Sequence, residues 1–175
     1  MKQTIIFFEW PSCAGKSTAV NTLLSKHPNV FHINKDKIKW LISDYSSKNE
    51  SYREILKNML LEMTKIAIDN GLSVILEGQK EISDEISEYT KNKNIDIKYI
   101  HLEAPFDILE QRFQSRIIEC EKKWIKISNT SVEWLKNRFN IYQNEKYDIW
   151  ITLDTSILSE EEVIKQIEKY IWENK

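Results

Sequence analysis

The run Trp10-Pro11-Ser12-Cys13-Ala14-Gly15-Lys16-Ser17-Thr18 places a lysine, hydroxyls and a glycine where an apolar segment, residues 4–8, gives way to a helical pattern. A loop entering a helix aims several backbone N–H groups at one point, and the helix dipole adds partial positive charge there. Such a cradle suits a polyphosphate. Lys16 can neutralise the β and γ phosphates, and the Ser17 hydroxyl can ligate Mg²⁺. The spacing matches the phosphate-loop pattern at Gly15, Lys16 and Ser17, but Trp10 stands where that pattern has its first glycine. A bulky residue adopts a left-handed backbone only at a cost, so the Trp10-Pro11 half of the loop departs from the pattern. Residues Pro11, Ser12, Cys13, Ala14, Gly15, Lys16, Ser17 and Thr18 are the expected phosphate contacts.

Three more groups can join this chemistry. Asn34-Lys35-Asp36-Lys37-Ile38-Lys39 follows Val30-Phe31-His32-Ile33, at the strand end where open α/β sheets place their ligand crevice. Asp36 there either accepts or orients the proton of an attacking hydroxyl, or caps a helix. Glu77 in Leu76-Glu77-Gly78 either holds a Mg²⁺-bound water or an acceptor group, or is the solvated neighbour of a turn. Arg112 and Arg116, one helical turn apart, either clamp the phosphates or form a surface stripe. The Glu- and Lys-rich segment 118–129 is then a water-excluding lid, or an exposed connection.

These residues need a scaffold of alternating strands and helices. Apolar runs predict strands at 4–8, 30–33, 73–76, 97–102 and 149–153. Helical spacing of Ala19, Val20, Leu23 and Leu24 predicts a helix closed by Pro28, and another starts near Asp36 with Ile38, Leu41 and Ile42. Ile55, Met59, Leu60, Met63, Ile66 and Ala67 mark a longer one capped at Asn70-Gly71. Further helices span roughly 81–92 and start at Pro105, with Leu109, Phe113 and Ile117 on the core face. Thr130-Ser131-Val132-Glu133 predicts a capping box ahead of Leu135, Phe139 and Tyr142, and Ser159-Glu160-Glu161-Glu162 caps the helix of Val163, Ile164, Ile167, Tyr170 and Ile171. The alternation implies an α/β sheet that is largely parallel.

The bulk properties agree with one domain over 1–175. No run approaches the roughly 20 apolar residues of a membrane span. The N-terminus lacks a signal-peptide pattern, and Cys13 and Cys120 form neither a CxxC pair nor a Cys/His cluster, so the expected location is the cytoplasm with reduced thiols. A net charge of −2 gives no global signal for long nucleic acids, though a local basic groove stays open.

Together these residues resemble the small-kinase branch of P-loop proteins that includes phage-type polynucleotide 5′-hydroxyl kinases. The match runs from Ala14-Gly15-Lys16-Ser17-Thr18 through Lys26-His27-Pro28 to Ile33-Asn34-Lys35-Asp36. It implies Asp36 as general base and Lys39 in place of a substrate-binding arginine. Leu109 to Arg116 resembles the lid helix, implying Arg116 as the phosphate-contacting arginine and Arg112 as its companion. Val74-Ile75-Leu76-Glu77-Gly78 is similar to the zeta-toxin kinases, and gives Glu77 a supporting role toward substrate. Ser12 to Ser17 and the ending Tyr147-Asp148-Ile149 to Leu153-Asp154-Thr155-Ser156 resemble chloramphenicol phosphotransferase, which implies that Asp154, Thr155 and Ser156 lie near the adenine.

The resemblance implies a three-layer P-loop NTPase fold: a central, mostly parallel five-stranded sheet in order 2-3-1-4-5 with a helical lid over roughly 117–130. It also implies ATP and Mg²⁺ as cofactors. The expected reaction moves the γ-phosphate to a hydroxyl of a nucleic-acid 5′ end or of a small nucleotide-like or antibiotic molecule, with no obligatory protein partner. The rival expectation, motivated by Trp10, is a nucleotide-binding module or NTPase that transfers nothing.

Overall fold

A computed structural model of the chain describes residues 2–9, 11–78, 80–123, 131–143 and 150–173. The first strand, β1 (Thr4–Glu9), is buried along its whole length. Its side chains alternate between two cores. Ile6 and Phe8 face one, with Val20, Leu23, Leu109, Phe113, Leu135 and Ile164, while Ile5 and Phe7 face the other, with Leu56, Leu60, Ile68, Ile82 and Ile86. A strand covered on both faces has no reason to alternate polar and apolar residues, which explains its unbroken apolar run.

The chain then forms α1 (Lys16–Lys26), β2 (Val30–Asn34), α2 (Lys35–Ile38), α3 (Glu50–Asp69), β3 (Ser73–Glu77), α4 (Ser83–Thr90) and β4 (Asp96–Glu103). It continues through α5 (Phe106–Lys122), α6 (Val132–Gln143), β5 (Trp150–Asp154) and α7 (Glu160–Glu168). The sheet runs β2-β3-β1-β4-β5, and all four pairings are parallel. Helices α1, α5, α6 and α7 supply one core and α3 and α4 the other, so the three layers and the strand order match expectation. The C-terminal ends of all the strands lie along one edge, and the chain leaves the adjacent strands β1 and β3 toward opposite faces, which makes their ends the switch point where such sheets bind ligands.

Several local readings change. The helix expected near Asp36 lasts four residues and tightens into a 3₁₀ turn at Lys39–Leu41, closed by Ile42 N–H on Lys39 O. Ile38 is its buried residue, and Leu41, expected on the core, is 75% exposed. In α3 the buried stripe is Leu56, Leu60, Thr64, Ala67 and Ile68, whereas Ile55 and Ile66 face outward. Thr64 sits in the core because its hydroxyl donates to Leu60 O at 2.7 Å, which removes the cost that made the position look polar.

At α6 the cap is Ser131, whose hydroxyl accepts from Trp134 N–H; Glu133 does not complete a box, because the third helical residue is Trp134. Thr130 lies outside the described residues, as do Trp10, Ile149 and segment 124–130 of the expected lid. Residues 117–122 of that lid continue α5. Ser159 does form its capping box with Glu162, but Tyr170 and Ile171 lie beyond α7, in a π-helical turn.

The α3 terminus is a Schellman motif: Leu72 N–H reaches Ala67 O and Gly71 N–H reaches Ile68 O, with Gly71 at φ 77°. A Cβ on Gly71 would meet nothing within 4 Å, so only backbone strain opposes a side chain there. Gly71→Ala is expected to cost about 1 kcal/mol and Gly71→Asn less, read by urea denaturation.

Candidate functional site

The turn after β1 and the first turn of α1 close a loop around the expected anion cradle. Cys13 (φ 70°) and Gly15 (φ 90°) both take left-handed conformations on either side of buried Ala14. Glycine adopts this conformation without strain and cysteine does not, so the loop stores strain at Cys13. Pro11 O accepts from Ala14 N–H at 3.4 Å and from Lys16 Nζ at 2.9 Å, folding the loop back over the lysine.

Lys16 lies half-buried beneath the loop. Burial lowers its pKa, opposed first by Glu9 and then by Glu77, Cys13 and Asp36. Glu9, which ends the otherwise apolar β1, is 9% exposed. A phosphate brought into the cradle would add negative charge beside this half-buried ammonium and favour its charged form.

Glu77 is the hub of the site. Its Oε2 accepts from the Ser17 hydroxyl at 3.1 Å, and its Oε1 accepts from Asn34 Nδ2 at 3.1 Å and lies 2.6 Å from His32 Nε2. Burial pushes this carboxyl up, but the bonds from His32, Asn34 and Ser17 outweigh burial and hold it below its ordinary value. Glu77 is therefore a buried carboxylate, and the reading of a solvated turn residue is corrected. Gly78 (φ 69°) does make the turn, donating N–H to Phe8 O. Ser17 and Glu77 offer hard oxygen donors side by side, the donor type and number with which Mg²⁺ is held when phosphate oxygens and waters complete its shell.

Asn34 performs a second task. Its Oδ1 accepts from Lys37 N–H at 3.1 Å and so caps α2, the helix that carries Asp36. One amide thereby joins the carboxylate at the end of β3 to the turn bearing the expected base. Asp36 itself does not cap. Its side chain is 79% exposed and ion-paired with Lys39, which binds Lys39 to Asp36.

The two arginines divide. Arg112 donates to Thr155 Oγ1 at 2.8 Å, Thr155 O at 2.7 Å and Cys13 O at 3.4 Å, tying α5 to the phosphate loop and to the turn after β5. It braces the cleft wall and also lines the cleft. Arg116 sits one turn on, within reach of the Cys13 thiol, whose pKa is raised by burial and pulled down first by Arg116. In the turn after β5, Asp154 Oδ1 accepts from Ser156 N–H and Oγ, while Thr155 Oγ1 donates to Glu103 O. Thr155 reaches the loop: a Cβ on Gly15 would lie 3.8 Å from its Cγ2.

A cleft of about 920 Å³ gathers these groups, lined by Lys16, Ser17, Asp36, Glu77, Arg112 and Arg116 among others. Asp36 and Lys37 stand on the wall formed by α2, and Thr155 on that formed by the turn after β5. Sequence reasoning missed Glu9, His32 and His101. Each is a polar residue inside an apolar strand pattern, the one signal that could have marked them.

Comparison of the sequence with family profiles and with curated proteins finds no match. Solved structures do match. A candidate kinase from Chloroflexus aurantiacus superposes with TM-score 0.70 at 18% identity, over 98% of this chain and all of that one. The APS kinase CysC of Mycobacterium tuberculosis, solved with AMPPNP and APS, gives 0.61 at 14% identity, over 97% of both chains. A chain of the Pnkp1/Rnl/Hen1 RNA repair complex gives 0.63 at 18% identity over 85% of this chain, which spans 47% of that longer one.

The chain has the P-loop kinase fold. Here the carboxylate of Glu77, at the end of β3, meets the hydroxyl of Ser17, the residue after the loop lysine. No described helix is long and apolar enough to cross a membrane.

His101, beside Glu9 in the β1–β4 register, is held down to about 4 by burial and then by Lys16. Its folded pKa lies below the ordinary 6.5, so the unfolded chain takes up a proton first and stability falls as pH drops from about 6.5 toward 4. At ~1.4 kcal/mol per pH unit this amounts to at most about 3 kcal/mol. Urea unfolding at both ends of that window should show His101→Gln losing correspondingly less stability on acidification than the wild type.

Proposed function

We propose that the chain is an ATP-dependent kinase that transfers the γ-phosphate to the hydroxyl of a nucleic-acid 5′ end or of a small nucleotide-like or antibiotic molecule. The observation that carries this reading is the Ser17–Glu77 contact beside a half-buried Lys16, with the Asp36 carboxylate across the same cleft. A simple hydrolase needs only a water-positioning group, whereas a carboxylate on the opposite wall suits an acceptor alcohol. Its 79% exposure and its pairing with Lys39 favour, as a second reading, a nucleotide-binding module without transfer.

When bound, ATP supplies the phosphoryl group and Mg²⁺ neutralises charge on its phosphates. The N–H groups of residues 12–17 and the Lys16 ammonium hold the phosphates. Ser17 would hold the cation, and Glu77, kept ionised by His32 and Asn34, would orient the Ser17 hydroxyl toward it. Asp36 accepts the acceptor hydroxyl's proton, and Arg116 stabilises charge on the phosphoryl group in flight. Arg112 keeps the loop and the turn of Thr155 in register, beside which Asp154 and Ser156 border the nucleobase. A cytoplasmic location belongs to the same reading, in which Cys13 and Cys120, not joined in a disulfide, work as thiols.

Labelled ATP offered with 5′-hydroxyl oligonucleotides, nucleosides, nucleotide-sugars and antibiotics tests the reading. Lys16→Ala is expected to lose ATP binding by at least about tenfold and to abolish turnover; wild-type behaviour in that variant would sink the reading. Asp36→Asn is expected to lower kcat about 10²- to 10⁴-fold with little change in ATP affinity. A loss under about threefold, less than ~1 kcal/mol of barrier, would remove Asp36 as the base.

A further inference from the structure

The acceptor side of the cleft carries one large apolar group that the proposed transfer leaves unused. Trp40 is 49% exposed and lines the cleft beside Asp36 and Lys37. It follows Asp36 by four positions through α2 and the 3₁₀ turn, a spacing that sets two side chains on one face of a helical segment. Its indole is held by a neighbour: the Lys39 ammonium lies 5.2 Å from the ring centroid and pairs with Asp36. Carboxylate, ammonium and indole form one cluster, anchored to the core through Ile38, which is 7% exposed.

A planar ring laid on this indole would remove apolar surface from water on both partners and add the geometric preference of stacked rings. A sugar placed at Asp36 would offer the indole only its C–H face, without the flat conjugated area and ring–ring geometry of an aromatic group. Resting on the acceptor position proposed at Asp36, we infer that Trp40 is a stacking platform. The acceptor is then an alcohol that carries a planar conjugated ring a few bonds from its reacting hydroxyl. A nucleoside, free or at a strand end, and an aryl-substituted diol share this chemistry; a simple sugar does not.

Titration calorimetry on the full chain, with the nucleotide half filled by a non-hydrolysable ATP analogue, measures this. The probes are thymidine, a 5′-hydroxyl thymidine dinucleotide, 1-phenyl-1,3-propanediol and ribose, and the first three separate the possible sources of the ring. At least one ring-bearing probe should bind about tenfold or more tighter than ribose, and Trp40→Ala should weaken it about ten- to hundredfold while Trp40→Phe keeps most of the affinity. An unchanged thermal melt shows that each variant is folded. Ring-bearing probes that bind no tighter than ribose, or that bind Trp40→Ala as well as the wild type, overturn the inference. Stacking on Trp40 in a chain that transfers no phosphate sinks the kinase reading alone, whereas transfer to a ringless alcohol, with Trp40→Ala indifferent, sinks this inference alone.

Discussion

A carboxylate buried at the end of a central strand is costly unless its oxygens are hydrogen-bonded, and the rest of the site is arranged around meeting that demand at Glu77. Its partners come from α1 (Ser17) and from β2 (His32 and Asn34). The parallel register that sets Asn34 opposite Glu77 makes this geometry available. His32 and Asn34 are two residues apart and so project from the same face of β2. That face is the one on which α1 packs, which lets the hydroxyl following the loop lysine reach the same carboxylate.

The constraint spreads outward through side chains with two bonds each. Asn34 spends its amide nitrogen on Glu77 and its oxygen on the cap of α2, so the position of Asp36 depends on the same residue that fixes the hub. On the opposite wall Arg112 joins Cys13 O to both the hydroxyl and the carbonyl of Thr155. The phosphate loop is thereby braced from β3 through Ser17 and from β5 through Arg112. A braced loop tolerates a left-handed cysteine, because the surroundings, not local preference, hold its backbone.

Electrostatics follow the same layout. Lys16 is half-buried where Glu9 and Glu77 contribute most negative charge to it, and His101 is kept neutral by burial and by that lysine. The floor of the cleft is thus close to balanced before any phosphate enters, while Arg116 stands ready on the rim. Strained cysteine and partly desolvated lysine are of the kind that accumulates at functional sites, where binding repays what folding spent.

Much of the fold was legible because a strand buried on both faces and a helix buried on one leave different periodicities, and these residues keep them: residues 4–8, 73–76 and the Ser159 box read correctly. The Gly15-Lys16-Ser17 cradle was legible because its backbone chemistry is local. Pattern reading failed where a polar side chain is matched by a distant group, as at His32, Glu9 and Glu77, or by a carbonyl of its own helix, as at Thr64. The sequence by itself determined the strands, the loop and the candidate base. Only tertiary structure decided that Glu77 is a buried hub and that Arg112 braces the phosphate loop, because hydrogen bonds between residues 43 to 99 positions apart leave no periodic trace in the chain.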